Sequence, residues 1–550
     1  MKTLSSLVGI FTFLIAPGVY AETKPIGSDK PIVLPEAAIT GRMKLRPEEK
    51  WITATVENFE IFSGSSERET RAFITEFYRF HQAFVYLFPK AKIKPTEKLK
   101  IVLCGTTEKF SALAPSSFSN LSTTVSDGRS SYLLIDMDVR SKYHVSSSDS
   151  SSNIQTGASG MSGFEPGPLD MLDGTVLARR EYIHFIFDRT KPRPPLWLEE
   201  GAAMYFSTLD VGRSKITWGK IGPDIVRWMN PRGIMDLDKF FSIPARDSAA
   251  YGFSFSRQAL LLMHYFLFSH GMRYRSSFIE FAERASTEPV TEAMFKQYLQ
   301  MSYNEAEITL LWYAKDGGFF KHPYAPVTTK FPAAPSYTFR KLSDAECGRL
   351  KGEVLRLSNR FDDANAELLS PIIRKHSDPQ LVASLGILEH SMGNFTAAKK
   401  HLEEATAAKA GDYLAYIALA RIYLHEALAA AADNGSLSVD QMAHVLKPLF
   451  AARSLEQPHP AIYSLIADVW NYSRVPPTQE NLAVLDEGVL KFPTNTELIY
   501  KDAALKARYK FYDDAHALVA LGLRHARDEA TKIRFNQLKA QLPEVANAIR

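Results

Sequence analysis

The second half of the chain carries a repeat of 34 residues, and this period constrains the fold more than any other feature. A glycine, a large aromatic residue, a small residue and a large apolar residue each recur once at this spacing, in the pairs Gly352 and Gly386, Phe361 and Phe395, Ala364 and Ala398, and Leu368 and Leu402. Such a period indicates helix-turn-helix units that bury their apolar faces only by stacking on one another. No strand pattern interrupts this half, so the repeat predicts an all-α array.

The period and its residue types resemble those of tetratricopeptide repeats. The clearest copy contains Leu385, Gly386, Asn394, Phe395, Ala398, Leu402 and Ala405. A generic helical array is the alternative interpretation. The resemblance implies a tetratricopeptide superhelix over residues 338–545, whose concave surface binds a protein or peptide partner. Because repeat stability is nearly local, we expect a fragment starting near Phe339 to fold without the first domain.

The first 21 residues have the pattern of a secretory signal peptide. Lys2 supplies a positive start, a short apolar run follows from Leu7, and small residues precede a cleavage site after Ala21. The run is shorter than the roughly 20 apolar residues that a membrane-spanning helix needs. We therefore expect an exported protein, in the bacterial periplasm, with no integral membrane segment in the mature chain.

Composition excludes several classes of function. The 550 residues include 65 Lys and Arg against 61 Asp and Glu, which leaves no basic excess of the kind that nucleic-acid binding requires. A hydrophobic content of 45% with 23% charged residues is typical of globular proteins rather than disordered ones. Two cysteines exclude a disulfide scaffold. No glycine-rich phosphate-binding loop follows a predicted strand.

The first half reads as an α+β domain over residues 22–335. Apolar alternation predicts a strand pair or one kinked strand over residues 52–61, and short apolar runs predict buried strands at 99–104 and 132–137. Helices are predicted from about 66, over 172–188, from 196, and on both sides of Gly271. Residues 141–168 are rich in Ser and Gly and predict a mobile loop. A Pro-rich linker over residues 322–337 separates this domain from the repeats.

Chemistry is concentrated in two neighbouring segments, Arg180-Glu181-Tyr182-Ile183-His184 and residues 195–206. One class of zinc peptidases places two histidines at i and i+4 on a helix, which puts both imidazoles on one face. A glutamate directly after the first histidine activates the zinc-bound water, and a glutamate on the next helix is the third ligand. Here Arg180 occupies the position of the first histidine.

These segments resemble the gluzincin-like peptidase MA family, in the branch that joins a zincin domain to tetratricopeptide repeats. The resemblance covers residues from about 45 to about 320, and its most specific part is the segment from Pro195 through Trp197 to Gly201. It implies that Glu181 is the general base and that His184 and Glu200 are metal ligands. It also implies an oxyanion-donor role for Tyr251.

Arg180 departs from the family pattern, and the departure favours a non-catalytic protein. A guanidinium has no lone pair for a metal and stays protonated, whereas its planar fork matches a carboxylate. We expect Arg180 to pair with Glu200 and close the site, which predicts a pseudo-peptidase that binds proteins or peptides and holds no cofactor. The alternative is an active zinc metallopeptidase with a non-standard ligand set, in which His144 replaces the missing ligand.

Four further side chains near these segments or on other helices are not expected to be ligands or catalytic groups. Glu199 is interpreted as a solvated neighbour of Glu200, and Arg179 as one residue out of register with the metal face. His81 and His264 lie on apolar helices, where core or surface positions are expected.

Overall fold

A computed structural model describes residues 45–87, 99–115, 122–126, 130–138, 174–190, 193–212, 214–220, 233–243, 253–315, 323–327, 333–431, 435–455, 458–526 and 529–543. All of them belong to one unit that begins at Leu45. The predicted signal peptide, the Ser-rich loop with His144, and Tyr251 lie outside the described residues. Within those residues a mixed α/β region with a central sheet precedes a long series of helices.

The central sheet has six strands in the order β4-β5-β3-β2-β1-β9. They are β1 (Ile52–Val56), β2 (Phe59–Ser63), β3 (Leu99–Cys104), β4 (Ser122–Ser126), β5 (Ser131–Asp136) and β9 (Arg340–Lys341). Strands β2, β3 and β5 are parallel, whereas β1, β4 and β9 each pair antiparallel with a neighbour. The strands predicted from apolar patterns are confirmed. Strand β4 was not predicted, because its sequence STTVS has no apolar alternation.

Nine helices and a small second sheet complete the described part of the α/β region. The helices are α1 (Glu67–Leu87), α2 (Thr107–Leu113), α3 (Gly174–Asp188), α4 (Leu196–Ser207), α5 (Leu237–Ser242), α6 (Phe253–Met272), α7 (Arg275–Ala285), α8 (Glu292–Leu299) and α9 (Tyr303–Lys315). The second sheet contains β6 (Asp210–Val211), β7 (Lys215–Thr217) and β8 (Tyr324–Pro326). A capping box precedes α1, since Ser66 N donates to Glu69 Oε2 at 3.1 Å and Glu69 N to Ser66 Oγ at 3.3 Å.

One face of the central sheet carries the larger core of the α/β region. Alternate strand residues such as Phe59, Ile61 and Ile101 pack against apolar side chains of α1, α3, α4 and α6. Aromatic residues of α1 are part of this core, with Phe73 and Phe77 almost completely buried. This face of the sheet therefore supports the helices that carry the candidate site.

Eleven helices follow in the described part of the second half. They are α10 (Asp344–Leu357), α11 (Phe361–Ile373), α12 (Pro379–Ser391), α13 (Phe395–Ala407), α14 (Tyr413–Ala429), α15 (Val439–Ala452), α16 (Pro460–Trp470), α17 (Gln479–Lys491), α18 (Thr496–Arg508), α19 (Tyr512–His525) and α20 (Glu529–Gln541). The periodic glycines have a packing role. A Cβ on Gly352 would lie 2.5 Å from Leu368, and one on Gly386 would lie 2.7 Å from Leu402. Each glycine therefore permits the close approach of two successive helices.

The opposite face of the sheet and the first three of these helices share one hydrophobic core. Val102 and Leu134 from the sheet pack with Leu350, Leu368 and Leu385 from α10, α11 and α12. Both cysteines, Cys104 and Cys347, are free thiols buried in this same core. The sheet and the first helices therefore depend on each other, which changes the expectation that the helical half folds by itself.

The sequence predicts no membrane-spanning segment in the mature chain. Helix α6 contains the apolar stretch 259–268, which His264 interrupts. The imidazole of His264 is buried and its Nδ1 lies 2.8 Å from the Tyr313 hydroxyl, so a core position is confirmed. Across the described ranges, no helix combines the length and the apolar character that crossing a bilayer requires.

A buried carboxylate in the helical half should make stability depend on pH. Asp502 on α18 is completely buried, and Lys506 Nζ lies 3.5 Å from its Oδ2. Burial, together with the charge of Asp486, raises the pKa of Asp502 to about 7 against the opposing effect of Lys506. Because the folded state then holds a proton that the unfolded state has released, stability falls as pH rises from about 4 to about 7.

Replacing Asp502 with asparagine should remove this dependence. We expect Asp502→Asn to stabilise the protein at pH 8 by up to about 4 kcal/mol, from roughly three pH units at about 1.4 kcal/mol each. At pH 4.5 the effect should be small. Chemical denaturation at both pH values measures the change in the free energy of unfolding. The control is Asp440→Asn, which makes the same charge change at an exposed position. Equal effects of Asp502→Asn at both pH values would contradict the assignment.

Candidate functional site

Two helices bring the candidate site together. On α3, Arg180 and His184 are separated by one helical turn and therefore lie on the same face. Helix α4 starts at Leu196 directly after Pro195, and it carries Glu199 and Glu200 in its first turn and a half. Gly201 lets α4 pack closely against α6, since a Cβ there would lie 2.6 Å from Met263 and 2.8 Å from the Ala259 carbonyl.

Arg180 forms an ion pair with Glu200. One guanidinium nitrogen lies 2.5 Å from Glu200 Oε2, and the Glu200 side chain is only 5% exposed. Ser256 on α6 donates to the same oxygen at 3.0 Å and lies 3.4 Å from the guanidinium. Although burial opposes ionisation, the charges of Arg180 and His184 and the bonds from Ser256 and Arg180 lower the pKa of Glu200. The contact between Arg180 and Glu200 expected from the sequence is present.

His184 lies between two carboxylates. Its Nδ1 is 3.0 Å from Glu199 Oε1, and its Nε2 is 3.5 Å from Glu200 Oε1. Burial disfavours the imidazolium, but the hydrogen bond to Glu199 and the charges of Glu200 and Glu181 together raise the pKa of His184. The arrangement therefore favours the imidazolium form of His184 more than water does, and it places a carboxylate oxygen beside each ring nitrogen.

Glu199 is part of the site rather than a solvated neighbour, so the interpretation of this residue was wrong. Its side chain is 7% exposed and accepts two bonds from Arg193, from Nε at 3.0 Å and from the terminal nitrogen at 3.1 Å. Arg193 also donates to Asp188 Oδ1 at 2.8 Å, at the last residue of α3. Arg193 thus ties the end of α3 to the start of α4. Sequence reasoning missed it because it lies in the Pro-rich segment between them.

Glu181 faces the edge of the sheet. Its Oε2 accepts a hydrogen bond from Thr124 Oγ1 of β4 at 3.2 Å. Burial raises the pKa of Glu181, and the nearby charges of His184 and Arg180 only partly offset this effect. The carboxyl group assigned as general base by the family resemblance therefore lies next to the Arg180 ion pair, in surroundings that raise its pKa.

The remaining predicted residues lie apart from the ion pair. Arg179 donates to Glu76 Oε1 at 2.8 Å and to the Leu209 carbonyl at 3.0 Å, so the prediction that it is out of register is confirmed. His81 is a core residue, with Nδ1 2.7 Å from the Tyr182 hydroxyl, and burial lowers its pKa to about 4. Tyr251 and His144 fall outside the described residues.

The side chains at this position do not fit a catalytic zinc ion. Such an ion needs three protein ligands with lone pairs and an open position for water. His184 and Glu200 are the two candidate ligands, and the third position holds the Arg180 guanidinium. In the ranges that the structure describes, no group of three or more His, Cys, Asp or Glu side chains is arranged to hold a metal ion.

Breaking the ion pair should destabilise the fold. Arg180→Met leaves Glu200 buried without its main counter-charge, and we expect a loss of about 3–5 kcal/mol of unfolding free energy. Adding Glu200→Gln to this variant should recover most of the loss, because the uncompensated charge is then removed. Urea denaturation of the unmodified protein, the two single variants and the double variant measures the unfolding free energy of each. Lys239→Met, which breaks the exposed pair with Asp236, should change stability by less than about 1 kcal/mol. Additive effects of the two site substitutions would contradict a direct interaction.

Comparison with known protein families finds no family model that matches the chain. No curated protein is significantly similar to it either. The resemblance to gluzincin-like peptidases and tetratricopeptide repeats therefore rests on the residues and the period themselves.

Proposed function

We propose that this protein is a pseudo-peptidase, a gluzincin-like domain that has lost its metal and binds extended polypeptides without cleaving them. The single observation that carries the proposal is the 2.5 Å contact between the Arg180 guanidinium and Glu200. It supports the replacement of a metal by a fixed cation, since a guanidinium supplies positive charge to Glu200 but coordinates nothing.

The charges around the ion pair support the same proposal. Arg180 and Arg193 present two permanent positive charges to Glu200 and Glu199, which is the charge that a zinc ion would supply. The site is therefore electrically satisfied without a metal. A buried carboxylate that needed a metal would be expected to lack such partners.

The helical half supports a binding role rather than a catalytic one. Helix pairs joined by short turns, with Gly352 against Leu368 and Gly386 against Leu402, are what a tetratricopeptide array requires. In this proposal the array adds a second surface for a protein or peptide partner, and the protein acts as an exported scaffold in the bacterial periplasm.

The proposal is tested with the full-length protein purified without chelators. By elemental analysis we expect less than about 0.1 zinc ion per chain, because the site offers only two of the three protein ligands that a catalytic zinc ion needs. We also expect retention of unfolded casein in a pull-down, with no cleavage products after prolonged incubation. Glu181→Gln is the matched control, because it removes the general base of an active relative but should leave retention of casein unchanged.

Two results would overturn the proposal. One zinc per chain, lost in His184→Ala, together with casein cleavage that Glu181→Gln abolishes, would establish the alternative of an active metallopeptidase. Absence of both casein cleavage and casein retention would exclude a scaffold for extended polypeptides.

A further inference from the structure

A cavity of about 690 Å³ lies on the face of the central sheet opposite to the Arg180 ion pair. Its floor is formed by strands β1, β2, β3 and β5, and one wall by helix α10. The segment of residues 336–342 forms the other wall. We call it the sheet cavity. Its volume falls within the range of about 300–1,000 Å³ that is typical of ligand sites.

The floor of the sheet cavity is a continuous row of polar side chains. Thr55 of β1 is the register partner of Glu60, Glu60 of Lys100, and Lys100 of Tyr132. Four neighbouring strands therefore each contribute one side chain to the same line across the sheet. Three strand spacings make this row about 14 Å long, which matches an extended chain of about four residues.

The β3–β5 end of the row has more hydrogen-bond donors than its own acceptors use. Lys100 Nζ donates to the Tyr132 hydroxyl at 2.9 Å, and this hydroxyl in turn donates to Glu353 Oε2. Ser384 donates to the other oxygen of Glu353 at 3.1 Å, so both carboxylate oxygens are already satisfied.

Arg349 lies on the wall beside this chain of hydrogen bonds. Its charge, with that of Lys100, acts on Glu353 and on the nearby helix-capping carboxylate of Asp412. Among the residues that the structure describes, the guanidinium makes no hydrogen bond and no ion pair within 4 Å. It therefore presents a planar fork of N–H donors to the cavity, the geometry that recognises a carboxylate.

The β1 end of the cavity offers main-chain groups. The ladder between β1 and β9 ends at Thr53, which pairs with Arg340. The N–H and C=O groups of successive residues in a strand point to opposite sides, and Trp51 O accepts from Leu342 N on the β9 side, so Thr53 and Thr55 direct their main-chain groups to that side as well. Thr55 lines the cavity beyond the last pair with β9, where the structure describes no strand partner for it. Its main-chain groups are therefore open to one end of an extended peptide.

The acidic side chains of the cavity restrict the charge of the ligand. Glu60 lies in the middle of the floor, and Glu346 on the wall is held by Arg340 in a bidentate pair at 2.8 Å. These carboxylates would repel a ligand that carries several negative charges. A neutral main chain that ends in a single carboxylate avoids them.

We propose that the sheet cavity binds short peptides, with the C-terminal carboxylate on Arg349 and Lys100 and the main chain extended along the floor toward the edge of β1. This site is separate from the Arg180 ion pair and does not depend on the proposed loss of peptidase activity.

Saturation-transfer NMR on the full-length protein tests the proposal. The probe is an equimolar mixture of tetrapeptides with free carboxylates, compared with the same mixture amidated at the C-terminus. We expect saturation transfer to the free acids and at least about 10-fold weaker binding of the amides, since a lost charge-assisted hydrogen bond weakens binding by about 10- to 100-fold.

Two variants locate the binding. Arg349→Gln should weaken the tightest tetrapeptide by about 10- to 100-fold in calorimetric titration. Thr55→Trp should abolish binding by filling the floor, and the exposed position of Thr55 on β1 tolerates the change in the fold. Lys341→Gln is the matched control. It removes an exposed cation from the same segment, at a position whose residue does not itself line the cavity.

Three outcomes would overturn the proposal. They are the absence of saturation transfer to the free acids, equal transfer to acids and amides, and binding that survives Thr55→Trp. The last outcome would place the peptide elsewhere, including at the Arg180 site. Thermal unfolding of each variant shows whether it is folded, and Thr55→Trp keeps the test decisive if Arg349→Gln does not fold.

Discussion

A fragment of residues 338–550 should lose the structure of its first helix pair. Leu350, Val354 and Leu355 on α10 and Leu368 on α11 are buried against Val102, Leu134 and other residues that the fragment lacks. Exposing several side chains of this size costs on the order of 10 kcal/mol, which is comparable to the whole stability of a typical domain.

Polar contacts add to this dependence. Lys351, with a side chain only 6% exposed, pairs with Glu49 at 2.9 Å and with Glu367 at 2.7 Å. Arg374 donates to the Arg46 carbonyl at 2.6 Å. The fragment lacks Glu49 and Arg46, so the buried ammonium group of Lys351 would keep only one of its two carboxylate partners, Glu367.

Hydrogen exchange followed by mass spectrometry measures the result. In the fragment we expect loss of protection over residues 344–373, and retained protection from α13 onward, where a separate core extends to Leu542. A shorter fragment starting at Asp378, the N-cap of α12, is the matched control and should show the same protection from α13 to α20. Cooperative unfolding with full protection of residues 344–373 in the longer fragment would show that the shared core is dispensable.

The pattern of the repeat predicted local packing correctly but not the shared core. Gly352 and Leu368 are 16 residues apart, and helix geometry alone brings such positions together in an antiparallel pair. The same periodicity shows that α10 has an apolar face without showing what covers it. Part of that face packs on the sheet, in a core that brings together residues more than 200 positions apart in sequence, such as Val102 and Leu350.

The candidate site was predictable to a similar degree. The i, i+4 spacing places Arg180 and His184 on one face of α3. The family resemblance puts Glu200 at the third-ligand position, which led to the expectation of Glu200 beside the arginine. Glu199 and Arg193 were not predicted, because burial of a charged pair depends on tertiary packing. The row from Thr55 to Tyr132 requires the order and register of four strands, which no local pattern supplies.

Arg180→His should convert the closed site into a zinc site. The substitution provides a second imidazole one helical turn before His184 and removes the cation that repels a metal. His184 Nε2 and Glu200 Oε1 are 3.5 Å apart, close to the roughly 3.3 Å between two ligands of a tetrahedral zinc ion with bonds of about 2.0–2.1 Å. We expect zinc affinity to rise at least about 100-fold, since even the loss of an indirect partner of a zinc ligand changes affinity by about 10- to 100-fold.

Zinc titration of the variant beside the unmodified protein measures this gain. Arg179→His is the matched control. It adds the same imidazole one residue away, where the native guanidinium is directed to Glu76 and the Leu209 carbonyl, and it should bind no additional zinc. Adding His184→Ala to Arg180→His should abolish the gain.

Peptidase activity is a separate question from zinc binding in this variant. Glu181 stays bonded to Thr124, and Arg193 continues to hold Glu199, which in turn holds His184. Catalysis requires these groups within about 0.5 Å of a productive arrangement, whereas metal binding requires only three ligands. We therefore expect zinc binding with weak or no casein cleavage. Equally negligible zinc binding by Arg180→His and the unmodified protein would show that His184 and Glu200 do not converge on one metal position.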